Sequence, residues 1–160
     1  MPTNILRKRS DQRAPDGKQS PTSAQASRDH GSTAGTGSRL AILTAGRIKI
    51  QLAFAATPTA DLVWNALPLH SSAETWGRCI QFETPLEAGR DRTARILAQL
   101  GEIYFWVEHD RIVVPFGPTP ISRPGEIRLQ SPCNVFAHAL GDLTALSAVS
   151  PAEKVSLTAL

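Results

Sequence analysis

The sequence predicts an all-β fold, a closed barrel with one short capping helix over residues 58–66. Three observations carry that expectation. Short runs in which apolar and polar residues alternate recur from residue 39 onwards. Gly, Pro, Asn and Asp punctuate them. Only one segment has the i, i+3, i+4, i+7 spacing of an amphipathic helix. Roughly six to eight short strands of this kind form a barrel or a sandwich, and a barrel is preferred because closure leaves no unpaired edge.

Each element follows from local chemistry. Residues 39–45 form an apolar run, and residues 47–54 alternate, with Ile48, Ile50, Leu52 and Phe54 on one face. Gly46 between them suits a tight hairpin, where positive φ is often needed. Thr57 is an N-cap, and Pro58 fits the first helical position, which requires no N–H. Ala60, Val63, Trp64 and Leu67 then mark a buried helix face, and Pro68 stops the helix. In residues 78–84, Ile80 and Phe82 point one way and Cys79, Gln81 and Glu83 the other. Ile96, Leu97 and Leu100 fit a helical turn within residues 91–100, a segment too short to settle. Residues 102–107 and 111–116 are rich in β-branched and aromatic side chains and flank a turn at Glu108-His109-Asp110. Residues 117–120 are turn or extended chain, because Pro118 and Pro120 remove ladder donors. Residues 133–140 and 155–158 read as strands, with a weak helical turn over 143–149.

Composition divides the chain. Of 17 Lys+Arg and 14 Asp+Glu, six basic and three acidic side chains fall in residues 1–38. The net charge of +3 therefore resides there, and residues 39–160 are neutral. Residues 1–38 hold no aromatic side chain and are rich in Ser, Thr, Gly, Gln and Pro, which predicts a disordered basic tail. A neutral domain offers no basic patch for specific nucleic-acid binding. No apolar run is long enough for a membrane-spanning helix, and no signal-peptide apolar region is present. A cytoplasmic protein is expected.

A resemblance emerges from four ordered motifs. Leu67-Pro68, Ser71-Ser72 and the run from Thr75-Trp76-Gly77-Arg78-Cys79-Ile80-Gln81-Phe82 to Pro85 resemble a small prokaryotic cyclophilin-like family, which shows LP, then WG-x-x-I-x-F and a following Pro. Gly101–Trp106 is similar to the family's G-D-I/V-x-Y-W, and Phe116–Ser122 to its FG-x-TP-x-S. Pro132-Cys133-Asn134-Val135 stands where the family has a V-N-V strand. The resemblance spans residues 39–160 and implies a closed or nearly closed barrel capped by a helix. True cyclophilins use that scaffold as peptidyl-prolyl isomerases. Trp106 with Val113–Gly117 is similar to the cyclophilin Trp…V-V-F-G hairpin, two residues longer. The cyclophilin F-H-R strand and its downstream Q-G-G-D are absent. Arg78 and Cys79 stand where the smaller family is usually acidic, and Ala137-His138 where it has Gly followed by Arg or Lys.

Prolyl isomerisation needs no covalent step, only an apolar slot for the ring and a donor near the imide nitrogen in the twisted state. Arg78 and Gln81 are the candidate polar groups, and Phe82, Trp106 and Phe116 the candidate slot. The plainer reading makes the two phenylalanines barrel core and Arg78 a solvated strand residue. Cys79 and Cys133 read as buried thiols, with a disulfide left open. His138 is the one strand-borne base near them in kind. The four histidines lack metal-ligand spacing, the carboxylates are scattered, and no Gly-rich loop joins a strand to a helix, so no metal and no cofactor are expected. The function expected is a non-catalytic module for a short peptide or small ligand, with a divergent isomerase as the alternative.

Overall fold

A computed structural model describes residues 38–160. The predicted tail, apart from Ser38, lies outside the described residues. Strands β1 (Leu40–Ala45) and β2 (Ile48–Phe54) form the expected hairpin, with Ala45 opposite Ile48 and Gly46 at a φ of +60°. Helix α1 (Pro58–Ala66) has the predicted bounds. Thr57 Oγ1 accepts from the Ala60 N–H at 3.0 Å, and Thr59, Ala60 and Val63 are buried. Trp64 packs edge-on against Phe54 at a centroid distance of 5.3 Å. A cis Leu67–Pro68 bond follows the helix.

The remaining strands are β3 (Leu69–Ser72), β4 (Glu74–Thr75), β5 (Cys79–Glu83), β6 (Arg95–Leu97), β7 (Glu102–Trp106), β8 (Arg111–Pro115), β9 (Arg128–Ala139) and β10 (Lys154–Ala159). Hydrogen-bonded neighbours run β3-β10-β1-β2-β9-β7-β8-β5-β4, and β6 pairs separately with β9. Leu160 N donates to Leu40 O at 2.9 Å, tying the last residue to the first strand.

The ladder does not close as the sequence led one to expect. Its two end strands, β3 and β4, are not paired with each other. They are consecutive pieces of one extended segment that changes partner at Ala73. Residues 69–72 pair with β10, Glu74 and Thr75 pair with β5, and Ala73 bonds to the chain at Ala152 and Glu153. Covalent continuity joins the edges where a complete ladder would have done so.

The barrel interior holds Leu43, Leu52, Ile80, Phe82, Ile103, Phe105, Ile112, Phe136 and Leu157. Helix α1 covers the end where β2 finishes, and a 3-10 helix at Leu143–Ala148 covers the other through Leu143 and Leu146. A second, smaller cluster lies on the outer face of the same wall: Cys79, Tyr104, Trp106, Val113, Leu129, Cys133 and Val135. The first half of β9 and strand β6 fold over it, with Arg95 opposite Cys133 and Leu97 opposite Arg128. Strand β7 is therefore buried on both faces. That is why Ile103-Tyr104-Phe105-Trp106 shows no alternation. The helical turn allowed for residues 91–100 is instead strand β6, because pairing with β9 outweighs a three-residue apolar spacing.

A buried polar network fixes the helix to the wall. Asn134, fully buried in β9, donates from Nδ2 to Thr59 Oγ1 and to Gly89 O, both at 2.8 Å, and its Oδ1 accepts from Asp91 N–H at 3.0 Å. Thr59 Oγ1 donates onward to Asp91 Oδ2 at 2.9 Å. Truncating such an amide strands several buried partners, each worth about 1–3 kcal/mol. Asn134→Ala is expected to lower stability by about 2–4 kcal/mol in urea unfolding. A loss below about 1 kcal/mol would show that the network does not anchor the helix.

Candidate functional site

The groups that carry polar chemistry at an accessible apolar surface lie at the end of the barrel covered by the 3-10 helix. There β5 begins and β8 ends. Cys79 faces Pro115, so the next cross-strand pair is Arg78 with Phe116. Phe116 N donates to Arg78 O at 2.9 Å, and Arg78 N donates to Pro118 O at 3.0 Å. The guanidinium carbon of Arg78 lies 5.8 Å from the Phe116 ring centroid, a cation–π contact at an exposed position.

Two glycines make this approach possible. Gly77 has a φ of +61°, and a Cβ there would sit 2.6 Å from Pro120 Cδ and 3.0 Å from Thr119 Cα. A Cβ on Gly117 would sit 2.8 Å from Arg78 Cδ. The Trp76-Gly77-Arg78 turn therefore rests directly on the Gly117–Pro120 backbone. Ser122 locks the second turn: its Oγ accepts from Thr119 N–H and from Arg128 N–H, both at 2.9 Å. Thr119 Oγ1 donates to Arg128 O, and Thr119 is buried. The strings Trp76-Gly77 and Phe116–Ser122 thus meet as one packed corner, whose work is to hold Arg78 over Phe116.

Two open grooves border this corner. One, of about 250 Å³, has Phe116 at its base between Leu100, Gly101 and Gly141–Thr144. The other, of about 480 Å³, runs past Gly117, Pro118, Gly125 and Ile127. Leu100 is 65% exposed and forms the ridge common to both. Leu140 is also exposed nearby, where Ala139 N donates to Gly101 O at 2.7 Å.

The six residues singled out from the sequence do not share one concavity. Arg78 and Phe116 come together. Phe82 is 1% exposed inside the barrel, opposite Ile112. Gln81 stands opposite Val113 and so lies on the outer face of β5, away from Arg78. Trp106 belongs to the outer cluster and packs against His109 at 4.1 Å between ring centroids. Its buried Nε1 has no acceptor among the described residues. His138 is an exposed residue of β9, with Nε2 at 3.7 Å from Glu102 Oε2. Glu102 itself is buried and accepts from the Tyr104 hydroxyl at 2.6 Å, while burial raises the Tyr104 pKa. Leu100 and Leu143 were read from the sequence only as parts of weak helical turns and not as site residues.

Cys79 and Cys133 are both free and both in the outer cluster. Burial pushes each thiol up to about 12, so neither is a thiolate near neutrality. Among the described residues no three His, Cys, Asp or Glu side chains converge as a metal site. No described helix is long and apolar enough to cross a membrane.

Two outcomes are expected. Gly77→Ala forces a side chain into left-handed backbone against Pro120 and Thr119, and should cost about 2–4 kcal/mol in urea unfolding. A neutral effect would mean that the two turns are not in fixed contact. Iodoacetamide at about pH 8 should leave both thiols unmodified in the native protein and label both in urea, as read by mass spectrometry. Rapid native labelling would overturn the buried, protonated assignment.

Comparison with known proteins agrees with this architecture. The model of the family described as Cyclophilin-like matches residues 38–158. No curated protein matches the chain. The solution structure of a hypothetical protein from Archaeoglobus fulgidus is similar with a TM-score of 0.67 and 24% identity, over 77% of this chain and 95% of that one. The chain belongs to the cyclophilin-like family.

Proposed function

We propose that this cyclophilin-like domain is a non-catalytic binding module, and that a short peptide or small ligand lies across Leu100 in the two grooves beside Phe116. The observation that carries the reading is the placement of Arg78. Arg78 is exposed, its guanidinium lies over the ring of Phe116, which lines one groove, and no described carboxylate forms an ion pair with it. Leu100 and Leu143 offer apolar contact, and Arg78 offers donors to a carbonyl or carboxylate. The two free buried thiols fit a reducing compartment such as the cytoplasm.

The alternative, prolyl isomerisation, is favoured by the same pairing of a donor with an apolar ring. It asks for more than that pairing. Lowering a barrier of roughly 20 kcal/mol requires a closed apolar slot with the donor aimed at the imide nitrogen. Phe82 and Trp106, the other slot candidates, are in the barrel core and the outer cluster, and Gln81 is on the opposite face.

Titration with succinyl-Ala-Ala-Pro-Phe-p-nitroanilide tests both readings. NMR shifts are expected at Leu100, Gly101, Gly117 and Leu143, lost in Leu100→Asp and several-fold weaker in Arg78→Ala. A protease-coupled assay with the same peptide should show no acceleration over the uncatalysed rate. Turnover that disappears in both variants while they stay folded would replace the module with an isomerase. Absence of any shift at about 5 mM peptide would refute the groove as a site.

A further inference from the structure

We infer that the outer face of β3, β10 and β1 binds a short oligophosphate chain, in the depression framed by His70 and Lys154. This site lies apart from the Leu100 grooves and does not rest on the reading given to them.

Alternation along four neighbouring strands sets this face. In β1, β2, β3 and β10, Leu43, Ile50, Leu69, Val155 and Leu157 turn into the barrel, and the residues between them turn outwards. The ladder registers then place the outward residues side by side. His70 stands opposite Ser156, Ser156 opposite Thr44, and Thr44 opposite Lys49. Ser72 and Lys154 form the adjoining outward pair. An open depression of about 570 Å³ lies over these residues, lined by Thr44, His70, Ser72, Lys154 and Ser156. His70, Ser72 and Lys154 are exposed.

Charge selects the occupant. His70 and Lys154 are the ionisable side chains lining the depression, and no described carboxylate lines it. Residues 39–160 hold two lysines, Lys49 and Lys154, and the registers bring both to this face. Among the described residues neither lysine forms an ion pair, and nor does His70. Glu153, beside Lys154 in the chain, accepts from Ser150 N–H at 2.9 Å and lines a separate depression with Arg47. The domain is neutral as a whole, so this face owes its sign to where the charges stand. An ammonium is a flexible point charge that meets phosphate oxygens without the planar fork that pairs with a carboxylate. Thr44, Ser72 and Ser156 add hydroxyl donors from the floor of the depression. The cations set the length of the ligand. Lys49 lies three ladder steps from His70, about 14 Å at a strand spacing of about 4.8 Å. A single phosphate cannot bridge that span, whereas a short phosphate chain between two flexible lysines draws on both. No aromatic ring lines the depression apart from the His70 imidazole, so an attached base would have little to stack on.

The probe is inorganic tripolyphosphate, titrated into the full chain at low salt and followed by amide NMR shifts. Saturable binding in the range of about 0.1–2 mM is expected, with shifts centred on Thr44, His70 and Ser156. Lys154→Gln should weaken it at least about fivefold, and Lys154→Arg should largely restore it, because the charge returns. Lys49→Gln combined with Lys154→Gln should abolish the shifts on this face. Inorganic phosphate should bind at least about tenfold more weakly than tripolyphosphate. Adenosine triphosphate should bind much as tripolyphosphate does, since the phosphate chain is what the face reads. No saturation by about 10 mM, or binding unchanged in Lys154→Gln, would overturn the proposal. So would shifts confined to the basic residues 1–37 or to Arg78 and its neighbours. Binding of adenosine triphosphate without binding of tripolyphosphate would overturn it as well, because a base would then be the group recognised.

Discussion

The fold depends on the amide of Asn134. It sits in the middle of β9, the longest strand described, at the point where that strand stops pairing with β6 and starts pairing with β7 and β2. A primary amide buried there is costly unless its donors and acceptor are met. Thr59, Gly89 and Asp91 meet them, and they come from α1 and from the chain leading to β6. One side chain therefore sets the position of the capping helix, the long connection and the central strand together. Aliphatic contacts could slide, whereas three directed hydrogen bonds admit a single arrangement.

That arrangement has a consequence for where a ligand can bind. With β9 pinned, its first half is carried across the outer face of β5, β8 and β7 and makes a second apolar layer. The wall is dry on both sides, and its large aromatics are used up as packing. Trp106 is covered outside and Phe82 inside. Leu100 and Leu140 are left exposed where strands end, beside Phe116, which lines the groove there. The site follows from what the wall leaves over.

The sequence disclosed those parts of the fold in which local chemistry and tertiary structure agree. Alternation in residues 47–54, the Thr57-Pro58 helix start and the Gly46 turn are local signals, and each element formed where it was read. Strands β3 and β4 were invisible, because Leu69-His70-Ser71-Ser72 carries one buried apolar residue and its pairing is decided by distant β10. The first half of β9 was missed for a related reason: Arg128–Pro132 is mostly polar and becomes a strand by covering its neighbours. The candidate site was legible only as a pair. Arg78 and Phe116 lie across a ladder whose register residues 79–83 and 111–115 made readable. Gln81, Phe82, Trp106 and His138 were grouped by chemical type, and only the strand faces could separate them.

The bond from Leu160 to Leu40 brings the two ends of the described domain side by side on neighbouring strands. A domain with that geometry can be spliced into a surface loop of another protein without prising its host apart, and its own ends can be joined and reopened elsewhere. The hairpin turn at Gly46 or the Gly125 loop would serve as new termini. The barrel is in this sense a cassette, portable between chains because its entrance and its exit are the same place.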